Sequence, residues 1–195
     1  MPKFTPFIPS RDFNSSFLSC EKDLEAILKK LFVDSRPYSD LLKRLLVINN
    51  KDCLDTTNSA YAELIADTSL SDLVEGGYIK IAPRLEFGEH EEIKSYVVIE
   101  FNNFMPNANN PQYRDSVIDF NIICNTDAWD LGNYQLRPVK IMGYIDGLLD
   151  QAKLTGIGTL QFMGANEIVL DQNISGYLLR YAAIHGSDDK ISDGE

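Results

Sequence analysis

Val117-Ile118-Asp119-Phe120-Asn121-Ile122-Ile123 is the stretch on which the fold turns. Taken over residues 115–124, it places Ile118, Phe120, Ile122 and Cys124 on one face and Val117, Asp119, Asn121 and Ile123 on the other. A period of two is the signature of a strand, with one face turned to a core. Upstream, residues 93–101 (Ile-Lys-Ser-Tyr-Val-Val-Ile-Glu-Phe) have the same texture, and the polar run Asn-Asn-Phe-Met-Pro-Asn-Ala-Asn-Asn-Pro at 102–111 reads as a loop between them. Two long strands about one polar loop predict an extended hairpin. Residues 78–81 start a further strand, broken or bulged at Pro83, and Gly88-Glu89-His90-Glu91-Glu92 forms a charged turn before the hairpin.

Downstream of the hairpin, residues 125–133 form a loop that holds the single tryptophan, Trp129. A helix then opens at Arg137-Pro138, with Ile141, Met142, Ile145, Leu148 and Leu149 as its buried face. Gly143 and Gly147, four apart, predict a close approach of this helix to the sheet, at some cost in helix propensity. Strands follow at 158–163, 167–170 and 176–185. In the last, Tyr177, Leu179, Tyr181 and Ala183 alternate with Leu178, Arg180, Ala182 and Ile184.

Before Gly77 the period is that of a helix. Leu24, Ile27, Leu28, Leu31 and Phe32 mark one apolar stripe. Pro37 restarts the chain, and Tyr38, Leu41, Leu42, Leu45 and Leu46 mark a second. Tyr61, Leu64 and Ile65 mark a third, followed by a turn with Leu70, Leu73 and Val74 that Gly76-Gly77 ends. The fold class is therefore α+β: a mainly antiparallel sheet with a long hairpin and a packed helix, preceded by a helical N-terminal region. The organisation read from the chain is an N-terminal arm at 1–18, a helical region at 19–76 and an α+β core at 77–186, the last two forming one domain. An acidic tail at 187–195 follows, where four acids face Lys190, and it is expected to be disordered.

The 195 residues carry 18 Lys and Arg against 29 Asp and Glu, a net charge of −11. That balance argues against a module that grips phosphate backbones with clustered cations. Divided at Gly76, the first part holds 9 positive and 12 negative charges and the second 9 and 17, so the β-rich part carries −8 of the −11. The N-terminus, with prolines at 2, 6 and 9, lacks the apolar run of a secretory signal, and nowhere is there an apolar run of about 20 residues that would span a membrane. Cys20, Cys53 and Cys124 are isolated and lack CxxC spacing, which fits reduced, packed thiols rather than a disulfide framework or a zinc site. Without a secretory signal, the glycosylation patterns at Asn14-Ser15-Ser16 and Asn173-Ile174-Ser175 read as accidental.

Catalytic constellations are scarce. His90 sits in a run of glutamates and His185 ends the last strand, neither with a ligand-spaced partner. Gly-x-Ser-x-Gly and Walker A patterns are absent, and Gly156-Ile157-Gly158 precedes a strand rather than a helix. Glu100 and Asp119, acids on adjacent strands, are the one arrangement that a Mg²⁺-dependent nuclease would use. Asn121 stands where a completing lysine often sits, and both acids read more simply as polar residues of an exposed face. The chain is therefore read as a non-enzyme with no catalytic, cofactor or metal residues. Among the tyrosines Tyr96, Tyr134, Tyr177 and Tyr181, most are expected in the core. Phe104, Met105, Trp129 and Leu131 differ: they are large apolar residues on polar loops without an obvious core to enter, and they are the expected partner-binding residues.

From residue 77 to 185 the chain resembles the tail terminator (tail-completion) proteins of long-tailed bacteriophages. The likeness lies in a leading helix, the long hairpin ending in Val117-Ile118-Asp119-Phe120-Asn121-Ile122-Ile123, the Arg-led helix from Leu136-Arg137-Pro138 to Leu149, a short strand pair, and a closing strand Gly176-Tyr177-Leu178-Leu179-Arg180-Tyr181. The helical first third is larger than that pattern requires. The resemblance implies a structural virion protein of the neck, made in the host cytoplasm. It implies a homo-oligomeric ring, usually a hexamer, that terminates the tail tube, joins the head-side connector or stopper and lets DNA pass without specific binding. It carries no catalytic residues and no cofactor. An acidic lumen would repel phosphates and let the genome slide. The alternatives are another neck component, a head-completion or adaptor protein, or an assembly or binding factor outside the particle.

Overall fold

The computed structural model describes residues 17, 19–81, 94–109, 114–154 and 158–185. Apart from Phe17, the arm at 1–18 lies outside the described residues, as do Pro83, the turn with His90, Gly156 and the acidic tail.

The helical periodicity gives four helices. α1 (Ser19–Phe32) buries Ile27, Leu28, Leu31 and Phe32, the i, i+3, i+4 set. α2 (Tyr38–Val47) buries Leu42, Leu45 and Leu46, while Tyr38 at the start of the stripe stays exposed beside the Tyr144 ring. α3 (Ser59–Asp67) starts at Asn58, whose side chain accepts from the Tyr61 amide. Where a turn was expected, α4 (Leu70–Glu75) forms a short helix, because Ser69 and Asp72 close a reciprocal capping box. Gly77, at φ +70, then turns the chain toward the sheet.

The sheet has the order β1-β2-β3-β7-β6. β1 (Ile79–Lys80) runs parallel to β2 (Ser95–Pro106), while β2 with β3 (Arg114–Asn125), β3 with β7 (Ile174–His185) and β6 (Gln161–Val169) with β7 are antiparallel. The α+β class and the long hairpin are thus present. α5 (Arg137–Leu149) follows β3, and β4 (Lys153–Leu154) with β5 (Gly158–Thr159) makes a separate two-stranded ladder.

Three expectations change. The loop expected at 102–111 begins later, because β2 runs on to Pro106 through a bulge between Asn102 and Met105, with Asn103 in the left-handed region at φ 56. The strands expected at 158–163 and 167–170 become the two-residue β5 and one continuous β6, which passes Gly164 by a second bulge. Gly143 and Gly147 make no close approach: both are exposed, and an added Cβ would meet nothing within 4 Å at either. The close approach lies at Gly176, where a Cβ would stand 1.8 Å from the Ile122 carbonyl oxygen.

One core joins the helices to the sheet. Ile27, Leu31, Leu45, Leu73, Ile141, Ile145 and Leu149 meet Val97, Ile99, Ile118, Phe120, Ile122, Leu179 and Tyr181. The alternation read in the sequence selects this face of β3 and β7. The other face carries a smaller cluster of Tyr96, Val98, Ile123 and Ile174.

Candidate assembly surface

Arg137, the residue that opens α5, is wholly buried. Its Nε donates to the Ala128 carbonyl at 2.7 Å, Nη1 to Leu45 and Ile48 at 2.7 Å each, and Nη2 to Asn50 at 2.9 Å. The last carbonyls of a helix lack intrahelical donors and form the negative end of its dipole. The guanidinium satisfies those at the end of α2 and, by the same planar fork, fixes the turn before α5. Around it, burial raises the Cys53 thiol above its ordinary pKa and pushes the Cys124 thiol up to about 11, so both stay protonated at neutral pH.

This anchor holds out the loop at 130–136. Asp130 bridges to Leu136, pairs with Lys51 at 2.5 Å and accepts the Gly132 amide at 2.8 Å. The Leu131 amide donates to the Gln135 carbonyl, and the Gln135 amide donates to that of Gly132. Gly132, Asn133 and Tyr134 in succession are left-handed, at φ 78, 51 and 61. For tyrosine that backbone costs about 1–2 kcal/mol. Its side chain is fully solvent-exposed, so no packing within this protomer offsets the cost.

The four expected partner-binding residues fall into two separate pairs. Phe104 and Met105 lie on β2 rather than on a loop. Phe104 meets the Phe17 ring edge-on with centroids 5.2 Å apart, and Met105, opposite Asp115, is 51% exposed. Trp129 stacks at a tilt on Tyr177, and both Trp129 and Leu131 pack against the main core. The sequence offered these two no obvious core, but the fold of the 125–136 segment over β7 supplies one. The pairs lie near Ile184 and Tyr177 of β7 respectively, about 23 Å apart at roughly 3.3 Å per residue. Of the tyrosines, Tyr181 is in the core, Tyr96 is buried on the opposite face, Tyr177 is half-buried and Tyr134 is exposed.

Further exposed apolar side chains lie elsewhere. β6 is an edge strand, and its exposed residues include Phe162, Met163 and Val169, with Leu170 just beyond. The Phe162 amide donates outward to Asp150, which closes the start of the edge, and among the described residues no strand pairs along the rest of it. Glu167 is the one charged residue of the strand. Natural edges are usually shielded by lysines, prolines or covering elements. Reading two strands around Gly164 hid this edge. No local pattern marks the edge, because which strands flank β6 is set by strand order.

Glu100 and Asp119 do stand opposite each other on β2 and β3. Asp119, however, is buried rather than exposed, and its carboxylate is engaged. Arg180 Nε and Nη2 donate to it at 2.9 and 3.0 Å, and Asn102 Nδ2 donates to it at 3.0 Å. A bidentate arginine occupies the oxygens that a Mg²⁺ ion would need. Among the described residues no group of three His, Cys, Asp or Glu could hold a metal ion, and no helix is long and apolar enough to cross a membrane.

A helix-backed, mainly antiparallel sheet with apolar side chains exposed at its β6 edge defines a protein of the α+β class. The chain belongs to the phage-associated YomW family, whose model matches residues 39–183. No curated protein matches it. Among solved structures, a chain from the virion of a native gene transfer agent (GTA) particle is similar at 16% identity, covering 65% of this chain and 91% of that one with a TM-score of 0.37.

Proposed function

We propose that this protein is a structural component of a phage-type particle that acts at the head–tail junction, as a ring that ends the tail tube, meets the head-side connector and lets DNA pass. The observation that carries the reading is the exposure of Met105, Tyr134, Phe162, Met163 and Val169, among the most exposed large apolar and aromatic side chains of the described residues. Large apolar side chains at a strand edge and on a strained loop fit a protomer that neighbouring subunits cover. Membership in a phage-associated family and the order of hairpin, Arg137-led helix and closing strand support the particular setting. The net charge of −11 supports a conduit that does not hold phosphates.

Electron microscopy of the purified protein, alone and mixed with tail tubes, tests this. Rings, or caps on tube ends, are the expected result. A protein that stays monomeric and never touches tubes or connectors would refute it. Mass spectrometry of purified particles separates the alternative of an assembly factor, which would be missing from them.

A further inference from the structure

We propose that two copies of this protein pair through β6, edge to edge and antiparallel, in a two-fold contact centred on Asn166. The inference concerns the free protein and stands apart from the ring reading. A two-fold contact stops at two copies, so a ring needs further surfaces.

The edge of β6 is bounded at both ends. At its start the Phe162 amide donates outward to Asp150, which closes the edge there. Beyond its end the Leu170 amide donates inward to the Ile174 carbonyl at 3.0 Å. Amides alternate sides along a strand, so those of Ala165, Glu167 and Val169 point away from β7. Among the described residues no strand pairs with this line. The stretch left between the two closed ends, residues 163–169, has Asn166 as its midpoint.

That symmetry makes a second copy the occupant. Antiparallel pairing about Asn166 uses the whole stretch. Ala165 then stands opposite the partner's Glu167, and Glu167 opposite the partner's Ala165. Their outward amides make these the positions that exchange hydrogen bonds, while the two Asn166 residues face each other between them. Met163 and Val169, 55% and 68% exposed, meet across the contact twice. Backbone pairing supplies the affinity and these flanking side chains the register. Centring the pair one residue later, on Glu167, would set two carboxylates against each other. Centring it one residue earlier, on Ala165, would put Val169 opposite Gln161, past the amide that Asp150 already holds. Charge points the same way. Copies that each carry −11 repel, and residues 163–169 hold Glu167 as their one charge, so contact there costs little.

A cysteine on the axis tests this in the full chain. Facing residues of a non-hydrogen-bonded antiparallel pair hold their Cα atoms about 4.5 Å apart, within the range of about 4.4–6.8 Å that a disulfide spans. Asn166→Cys, at an exposed position, is expected to form a disulfide between two copies when copper phenanthroline lets oxygen oxidise the thiols. Non-reducing gels read the linked dimer. Ala165→Cys, also exposed, faces the partner's Glu167 and is expected to link at least about tenfold more slowly. The wild type, with Cys53 and Cys124 buried and Cys20 half-buried, is the background.

Sedimentation equilibrium supplies the second measurement. The wild type is expected to dimerise, and Val169→Lys to associate at least about tenfold more weakly, the order of a hot-spot loss. Circular dichroism checks that the variants are folded. A wild type that is monomeric at every concentration overturns the inference. So does association undiminished by Val169→Lys, or linking that is as fast from position 165 as from 166. Capping of tail tubes is a separate readout, and it alone judges the ring reading.

Discussion

Replacing Gly143 and Gly147 together by alanine should make the protein more stable. Both lie inside α5, both are exposed, and apart from the helix's own neighbouring backbone and adjoining residues no heavy atom lies within 4 Å of a Cβ built at either position. Glycine in a helix interior is about 0.8–1.0 kcal/mol less favourable than alanine, because the unfolded chain loses more backbone freedom on folding. Gly147 stands two residues before the helix end at Leu149, where fraying discounts its share. The pair should therefore gain about 1.5 kcal/mol. For a chain of this length, each kcal/mol moves the melting temperature by about 2–4 °C, so a rise of about 3–6 °C is expected. Calorimetry of both single variants and the double, at one fixed dilute concentration, measures it. The two effects should nearly add, since neither new methyl meets a neighbour. A fall in melting temperature at either position would refute the reasoning, because it would mean that the glycine is needed by something in the folded protomer.

The other predictions concern the interior and the strained loop. Arg137→Lys keeps the charge but cannot span four carbonyls on two sides, and denaturant titration should show a loss of about 3–5 kcal/mol; a loss below about 1 kcal/mol would dismiss the anchoring role. Gly176→Ala drives a methyl into the Ile122 carbonyl and should either unpair β3 from β7 or yield insoluble protein, as read by soluble yield and circular dichroism. Tyr134→Asn should leave folding unchanged or slightly more stable in thermal melts, since asparagine accepts the left-handed backbone and no buried contact is lost. Stability should fall at alkaline pH. Burial holds the Cys124 proton to about 11, against an ordinary 9.0, and burial with the Asp146 acceptor holds the Tyr181 proton well above its usual range. The folded state thus keeps protons that the unfolded chain releases, so the contribution is whole below about pH 9 and declines through pH 11 at up to about 1.4 kcal/mol per pH unit for each proton. An unfolding free energy that stays level from pH 9 to 11 would contradict the burial of these groups.

Local chemistry alone determined much of this molecule. The change of period at Gly77 separates helices from strands, the alternation through Val117 to Ile123 selects the buried face of β3, and Arg137-Pro138 marks the start of α5. Those features depend on which way neighbouring side chains point, and periodicity records that directly. What the tertiary structure decided depends on residues far apart in the chain. Trp129 and Leu131 look stranded in sequence, yet they are packed once the segment folds over β7. Asp119 looks like an exposed acid until Arg180, sixty-one residues on, closes over it. The four carbonyls that Arg137 satisfies lie up to 92 residues away, and no local pattern announces them. The open edge of β6 is likewise a property of strand order. A strand reads the same from its own residues whether it is flanked on one side or both, and only the placing of β7 beside β3 puts β6 at the edge among the described residues.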